Sequence, residues 1–206
     1  MTSATSRSDR VGLLNSNLIQ AMVVRMAASP LLELLTLSLS PIILLSVNDS
    51  WTFLAPYGWI DPYLYTGFFI DLKGLLHSFG HTYYASRLPW LLLGNAAHRF
   101  SPDTANIVLR LTLFYGGVFP LFVIVQALWK NRLAATIAAL LLGAHTHFLS
   151  SIGWDYVDGA GLVAMLIALA LLTTATQARR WEPLLFGAGV MAMFPKRTSA
   201  RLFLEQ

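Results

Sequence analysis

Long apolar runs separated by short polar segments dominate this chain. The longest runs approach the length of about 20 residues that an α-helix needs to cross the hydrocarbon core of a bilayer, and they carry few charged residues. We place the spans at residues 28–47, 106–129, 133–149 and 159–174, with a possible partial span at 183–194. The pattern predicts an all-α, polytopic integral membrane protein with about four to five transmembrane helices.

The composition supports a location in the membrane. The 206 residues are 56% apolar and 12% charged, and the mean hydropathy is +0.60, which is more apolar than soluble domains are. The net charge of +4 comes from Arg and Lys beside the spans, where membrane topology explains it, so we do not expect a nucleic-acid partner. Cysteine is absent, which excludes disulfides and thiolate metal sites.

The basic residues predict an orientation. If every apolar run crosses the membrane, seven basic residues fall on one side, which is then the cytoplasmic side. Residues 1–27 would form a cytoplasmic amino-terminal segment, residues 28–195 the transmembrane module, and residues 196–206 an atypical basic tail. We expect Glu33, near the cytoplasmic end of the first span, to reach the lipid headgroups. The seven residues are Arg7, Arg10, Arg25, Lys130, Arg132, Arg179 and Arg180.

The segment between the first and second spans is predicted to be an external loop folded on the membrane surface. Asp61 precedes Pro62, a pattern that is typical of a helix amino-cap followed by the first helical residue. Apolar residues then recur at helical spacing, which predicts a helix lying in the interface plane. The short apolar segment 88–100 is predicted to be interfacial or re-entrant. The apolar residues that recur at helical spacing after Pro62 are Leu64, Phe68, Leu72, Leu75 and Phe79.

Acidic residues collect on the predicted external side, whereas the spans are nearly free of charge. This placement suits a substrate whose reactive group lies at headgroup level, such as a lipid-linked phosphate. Transfer from such a group needs a carboxylate to deprotonate an incoming hydroxyl and donors to neutralise the departing phosphate. Asp61 is the candidate for the first role, and Tyr83, Tyr84 and Arg87 are the candidates for the second.

Simpler interpretations of these residues stay open. Asp61 can be only a helix cap, and Arg87 can simply contact lipid phosphates. Asp155 and Asp158 stand three residues apart at the start of the fourth span, where one can be a cap and the other solvated.

The histidines and glycines of the second external loop do not form a recognisable site. His145 and His147 alternate rather than share a helical face, and no cysteine or close carboxylate joins them, so we expect no metal site. Gly159 and Gly161 are expected to permit close helix packing rather than to bind phosphate, because no strand precedes them.

Three strings carry a resemblance to a known family: WIDPYLYTGFF, TYYASRLPW and GWDYVDGAG. Over roughly residues 28–175 the chain resembles bacterial membrane proteins of the GT-C glycosyltransferase superfamily, which includes the dolichyl-phosphate-mannose protein mannosyltransferases and the glycosyltransferase 39 proteins. In that family an acidic residue in the first external loop acts as the base, and Asp61 stands at the matching place. Asp155 and Asp158 join Tyr83, Tyr84 and Arg87 as candidate substrate-binding residues.

The resemblance implies a hexosyltransferase of the bacterial inner membrane that moves a sugar from a polyprenyl-phosphate donor to an external acceptor. Its partners would be that donor and membrane lipids, with no cofactor; nothing in the sequence supports a divalent metal. Family members are longer, and the tail from Lys196 is typical of an interrupted chain, so we expect a truncated member. The alternative is a non-catalytic membrane protein, either an assembly subunit or an inactive remnant.

Overall fold

The computed structural model describes residues 29–47, 60–80, 82–153, 157–178 and 181–193. In these residues it contains helices and no β-strand, which confirms the all-helical prediction for this part of the chain. Asp155, the segment 1–27 and the tail 196–206 lie outside the described residues. The helices are α1 (Pro30–Val47), α2 (Ile60–Ile70), α3 (Leu72–Phe79), α4 (Leu88–Phe100), α5 (Ala105–Trp129), α6 (Arg132–Ala144), α7 (Thr146–Gly153), α8 (Val157–Ala178) and α9 (Glu182–Met193).

Two helices, α5 and α8, are long and apolar enough to cross a membrane. A third candidate span is formed by α6 and α7 together, which are bent by 57° relative to each other. In α1 the apolar stretch Pro30–Leu44 is shorter than these candidates. The described residues therefore contain two or three helices that could span a membrane, and the full number of four to five stays a prediction.

Helix α5 is the centre of the packing, with its most extensive contacts on α8 and α6. Small residues allow this close approach: a Cβ atom at Gly143 of α6 would lie 2.9 Å from the Phe114 ring of α5. A Cβ at Gly117 of α5 would lie 2.7 Å from the Phe148 ring of α7. The carboxyl end of α6 and Phe148 of α7 therefore lie against the middle of α5.

The third predicted span differs from the structure, because it is broken at His145 rather than continuous over 133–149. Helix α6 ends at Ala144, and His145 has an extended backbone with ψ 121°. The bend turns Phe148, Leu149 and Ile152 of α7 into the core, where all three are buried. Burial of these side chains, at roughly 1.5–3 kcal/mol each, is the physical reason for the change of direction.

The single interfacial helix predicted after Pro62 is also divided in two. Helix α2 begins at Ile60, so Asp61 lies in its first turn and is not the amino-cap that the sequence suggested. Asp71 is instead the amino-cap of the second helix, α3, and its side chain accepts a hydrogen bond from the Gly74 backbone N–H at 3.0 Å. Aspartate favours such local bonds to the backbone over a place in a helix interior, which explains the break.

The buried face of α2 holds it against α4. Phe69 contacts the edge of the Trp90 ring, with ring centroids 5.2 Å apart, and lies directly over Gly94, where any side chain would collide with it. Asn95 donates a hydrogen bond from Nδ2 to the Phe69 carbonyl oxygen at 2.8 Å. These contacts fix the position of α2, and with it the position of Asp61.

We had expected Glu33 to reach the lipid headgroups, but its side chain is buried inside the protein. Its side chain is 4% exposed, and its Oε2 accepts a hydrogen bond from Arg132 Nε at 2.8 Å. The ion pair gives Oε2 of this buried carboxylate a charged partner, whereas the buried Oε1 has no hydrogen-bond partner among the described residues. The pair brings the first turn of α1 and the first residue of α6 to the same end of the helix bundle, which agrees with the predicted alternation of spans.

Candidate active site

Asp61 and Tyr84, 23 residues apart in the sequence, meet in the structure. The Tyr84 hydroxyl donates a hydrogen bond to Asp61 Oδ1. The Tyr84 ring also packs edge-on against the buried ring of Tyr65, with centroids 5.5 Å apart. The first turn of α2 is therefore joined to the segment that precedes α4.

Local turns present the two tyrosines. The Ser86 backbone N–H donates to the Tyr83 carbonyl oxygen at 3.2 Å, and the Ser86 hydroxyl donates to the same oxygen at 2.6 Å. A short 3₁₀ turn, Ala85–Arg87, follows and leads into α4, in which Pro89 occupies the first turn. Proline is suited to that place because its fixed φ matches the helix and its missing N–H is not needed there.

Arg87 folds back onto Tyr83. Its Nη2 donates to the Tyr83 hydroxyl oxygen at 2.6 Å, and its guanidinium carbon lies 4.7 Å from the centre of the Tyr83 ring. Tyr83 is 59% exposed, so the pair stands at the surface of the cluster. A guanidinium has five N–H donors, and this bond uses one of them. We call Asp61, Tyr65, Tyr83, Tyr84 and Arg87 the acid–tyrosine cluster.

The Asp61 carboxylate raises the pKa of Tyr84, and burial raises the pKa of Tyr65. The hydrogen bond to Asp61 is the main cause that raises the pKa of Tyr84 to about 12, because loss of the proton would place two anions in contact. Burial raises the pKa of Tyr65 above its usual value, with a further contribution from Tyr83. Both hydroxyls therefore keep their protons at neutral pH and act as hydrogen-bond donors rather than as bases.

The cluster holds groups that the attack of a hydroxyl on a phosphate-activated carbon would use: a carboxylate, a guanidinium and phenol hydroxyls. A carboxylate offers roughly four lone-pair positions, and the Tyr84 hydroxyl uses one of those on Asp61 Oδ1. Arg87 and the tyrosine hydroxyls can donate to phosphate oxygens. A cluster of this kind can accept a proton at its carboxylate and pair with an anion at its guanidinium.

Asp158, the remaining described candidate, lies apart from this cluster. It is exposed in the first turn of α8 and lines a groove with His145, His147 and Ser151. No member of the acid–tyrosine cluster lines that groove.

The structure also describes the histidines and glycines of the second predicted external loop. The rings of His145 and His147 are 5.5 Å apart between centroids, and in the described residues no group of three or more His, Cys, Asp or Glu side chains is placed to hold a metal. Gly159 permits close packing, because the Ser151 carbonyl oxygen occupies the space that a side chain would need. Gly161 faces open space, so the packing prediction is right for Gly159 alone.

Sequence reasoning missed two buried residues that support the site, Tyr65 and Asn95. Tyr65 stands four residues after Asp61, and that helical spacing was a usable signal, because residues at i and i+4 share a helix face. Asn95 had no such signal in the sequence, because its hydrogen-bond partner is a backbone carbonyl at the end of another helix.

Comparison of the chain with family models, with curated proteins and with solved structures gives no match. The resemblance to the GT-C superfamily therefore continues to rest on the three strings in the sequence.

Proposed function

We propose that this chain transfers a sugar from a polyprenyl-phosphate-linked donor to an acceptor hydroxyl at the external face of the bacterial inner membrane. The observation that carries the proposal is the meeting of Asp61 with Tyr84, beside the Tyr83–Arg87 pair. A carboxylate and a guanidinium in one cluster, each bonded to its own tyrosine, can serve the two ends of such a transfer at once.

The reaction divides between the two halves of the cluster. Asp61 accepts the proton of the acceptor hydroxyl while that oxygen attacks the anomeric carbon of the donor sugar. The bond between the anomeric carbon and the phosphate oxygen breaks, and polyprenyl phosphate leaves with the bonding electrons. Arg87 donates hydrogen bonds to the phosphate as its charge develops. The Tyr84 hydroxyl holds the carboxylate in one orientation throughout.

The orientation belongs to the proposal as well. With the amino terminus in the cytoplasm, the Glu33–Arg132 end of the bundle faces the cytoplasm. The start of α5 then lies at the external end, together with the loop that holds Asp61. A reactive phosphate at headgroup level on that side would meet the acid–tyrosine cluster.

The test compares two Asp→Asn variants in the same loop. The full chain in proteoliposomes is supplied with polyprenyl-phosphate sugars labelled in the hexose and with an inner-membrane extract as the source of acceptors, and release of polyprenyl phosphate is measured. Asp61→Asn should lower the rate by about 10²- to 10⁴-fold, the usual scale for loss of a general base. Asp71→Asn, an exposed cap outside the cluster, should leave the rate unchanged, because asparagine also caps well.

The same assay separates the proposal from a non-catalytic role. If the parent chain releases no polyprenyl phosphate above empty proteoliposomes with any labelled hexose donor, the transferase proposal is wrong. If the parent is active and Asp61→Asn keeps its rate, the enzyme stands but its base lies elsewhere. Arg87→Ala should mainly weaken binding of the donor, and Arg99→Ala, an exposed arginine on α4, is its control.

A further inference from the structure

An open groove of about 590 Å³ lies between α5, α6, α7 and α8, away from the acid–tyrosine cluster. Its volume falls within the about 300–1,000 Å³ that is common for small-molecule sites. Most of its wall is apolar, from leucines of α5, α6 and α8 and from Ala138. Four polar residues complete the lining: His145, His147, Ser151 and Asp158.

The polar residues gather at one end. His145 is the bend between α6 and α7, Ser151 lies on α7, and Asp158 lies in the first turn of α8. From Ala138 to His145 the groove follows α6 for seven residues, which is about 10 Å of helix. The groove is therefore an apolar channel with a polar mouth.

We propose that the groove binds a phospholipid with a phosphoethanolamine head, with an acyl chain along the apolar wall and the head at the polar mouth. An imidazole N–H donates a hydrogen bond whether the ring is neutral or protonated, so His145 and His147 are suited to the phosphodiester. Their ring centroids are 5.5 Å apart, close enough for both to reach one phosphate group. The exposed carboxylate of Asp158 is suited to the ammonium group.

The charge of Asp158 decides which class of lipid headgroup the groove prefers. A purely anionic head would meet an unfavourable charge at Asp158, whereas a zwitterion offers each side chain a complementary group. A trimethylated ammonium has no N–H to donate to the carboxylate. The groove should therefore prefer phosphatidylethanolamine to both phosphatidylglycerol and phosphatidylcholine.

The inference does not depend on the proposed sugar transfer. It uses neither Asp61 nor Arg87, and it holds if the chain is not an enzyme.

The experiment measures which lipid the purified full-length chain retains from mixed micelles. Phosphatidylethanolamine, phosphatidylglycerol and phosphatidylcholine with identical acyl chains are added in equal amounts, and the bound lipid is counted by native mass spectrometry. We expect phosphatidylethanolamine to be retained about two- to five-fold above the other two, the scale of one exposed ion pair. Asp158→Asn, at an exposed position, should remove this preference, and Asp103→Asn, in the turn before α5, should keep it.

Two further variants test whether the lipid binds in this groove with its acyl chain along the apolar wall. Ala138→Phe fills the groove and should lower retention of all three lipids, while Ala96→Phe, at an exposed position of α4, should not. Asp61→Asn should leave the lipid preference intact, which keeps this result separate from the transfer assay. Equal retention of the three lipids by the parent, a preference for phosphatidylglycerol, or a preference that persists in Asp158→Asn would each overturn the proposal. Displacement of phosphatidylethanolamine by added polyprenyl phosphate would also overturn it, because the groove would then belong to the donor chain.

Discussion

Asp61 depends on a tyrosine from another part of the chain, and this dependence can be measured. Tyr84→Phe removes the hydroxyl that bonds Asp61 Oδ1 and should cost about 1 kcal/mol of stability at neutral pH, the usual net value of a hydrogen bond. It should also slow sugar transfer, because the carboxylate loses its orientation. Thermal unfolding in detergent and the polyprenyl-phosphate assay would check the two effects, with Tyr63→Phe, an exposed tyrosine of α2, as the control.

The pH dependence of the same bond has a definite sign. Since the bond raises the pKa of Tyr84 from 10 to about 12, its contribution to stability is complete below pH 10 and is lost as the pH rises through 12. The difference in melting temperature between the parent and Tyr84→Phe should therefore be constant from pH 7 to about 10 and then shrink. A difference that grows above pH 10 would contradict the assignment.

Single residues of the candidate site could be predicted only where their own neighbours in sequence carried a signal. Asp61, Tyr83, Tyr84 and Arg87 stand out because ionisable and aromatic residues are concentrated in one loop between apolar runs. That Tyr84 bonds Asp61 while Arg87 bonds Tyr83 could not be predicted, because this pairing depends on how α2 packs against α4.

At the scale of elements, Asn95 links the end of α2 to α4, and its loss should loosen the platform under Asp61. Asn95→Ala leaves the Phe69 carbonyl without the bond that Asn95 donates and should destabilise the chain by about 1–3 kcal/mol. Thermal unfolding in detergent measures this. The control is Asn106→Ala, because the buried Oδ1 of Asn106 has no hydrogen-bond partner in the part of the chain that the structure describes; an equal loss in both variants would contradict the link.

The Glu33–Arg132 pair joins α1 to α6 and invites a charge swap. Arg132→Glu places two carboxylates together and should destabilise the chain by about 1–2 kcal/mol, between the values for exposed and buried pairs, since the Arg132 side chain is 42% exposed. The double variant Glu33→Arg, Arg132→Glu should recover most of the loss. Unfolding midpoints of the two single variants and the double variant give the coupling, and additive effects would show that the pair contributes nothing.

Boundaries between elements were harder to predict than the elements themselves. The apolar runs indicated α5 and α8 directly, because length and hydropathy are properties of the local sequence. The break at Asp71 and the bend at His145 depend on tertiary burial, above all on Phe148 turning towards Phe114, and a periodicity over one run contains no information on that contact.

At the scale of the whole molecule, the absence of cysteine makes the predicted topology simple to test. Single cysteines at Ser78 and at Ser151, near the end of α7, should react with an impermeant thiol reagent in intact cells, and one at Asn131 should react only after the cells are opened. The reverse pattern would place the amino terminus outside. Reaction at all three positions in intact cells would show that α6 and α7 do not cross the membrane as one bent span.

The connection between α5 and α6 has a consequence for how the chain is made. Only Lys130, in a left-handed conformation with φ 52°, and Asn131, which caps α6, separate the two helices. Two residues reach at most about 7 Å, so α6 is held beside α5 from the moment of its synthesis. Gly143 of α6 can then pack against the Phe114 ring of α5 as soon as α6 forms. We expect this helical hairpin, rather than either helix alone, to be the unit that leaves the translocon and enters the lipid.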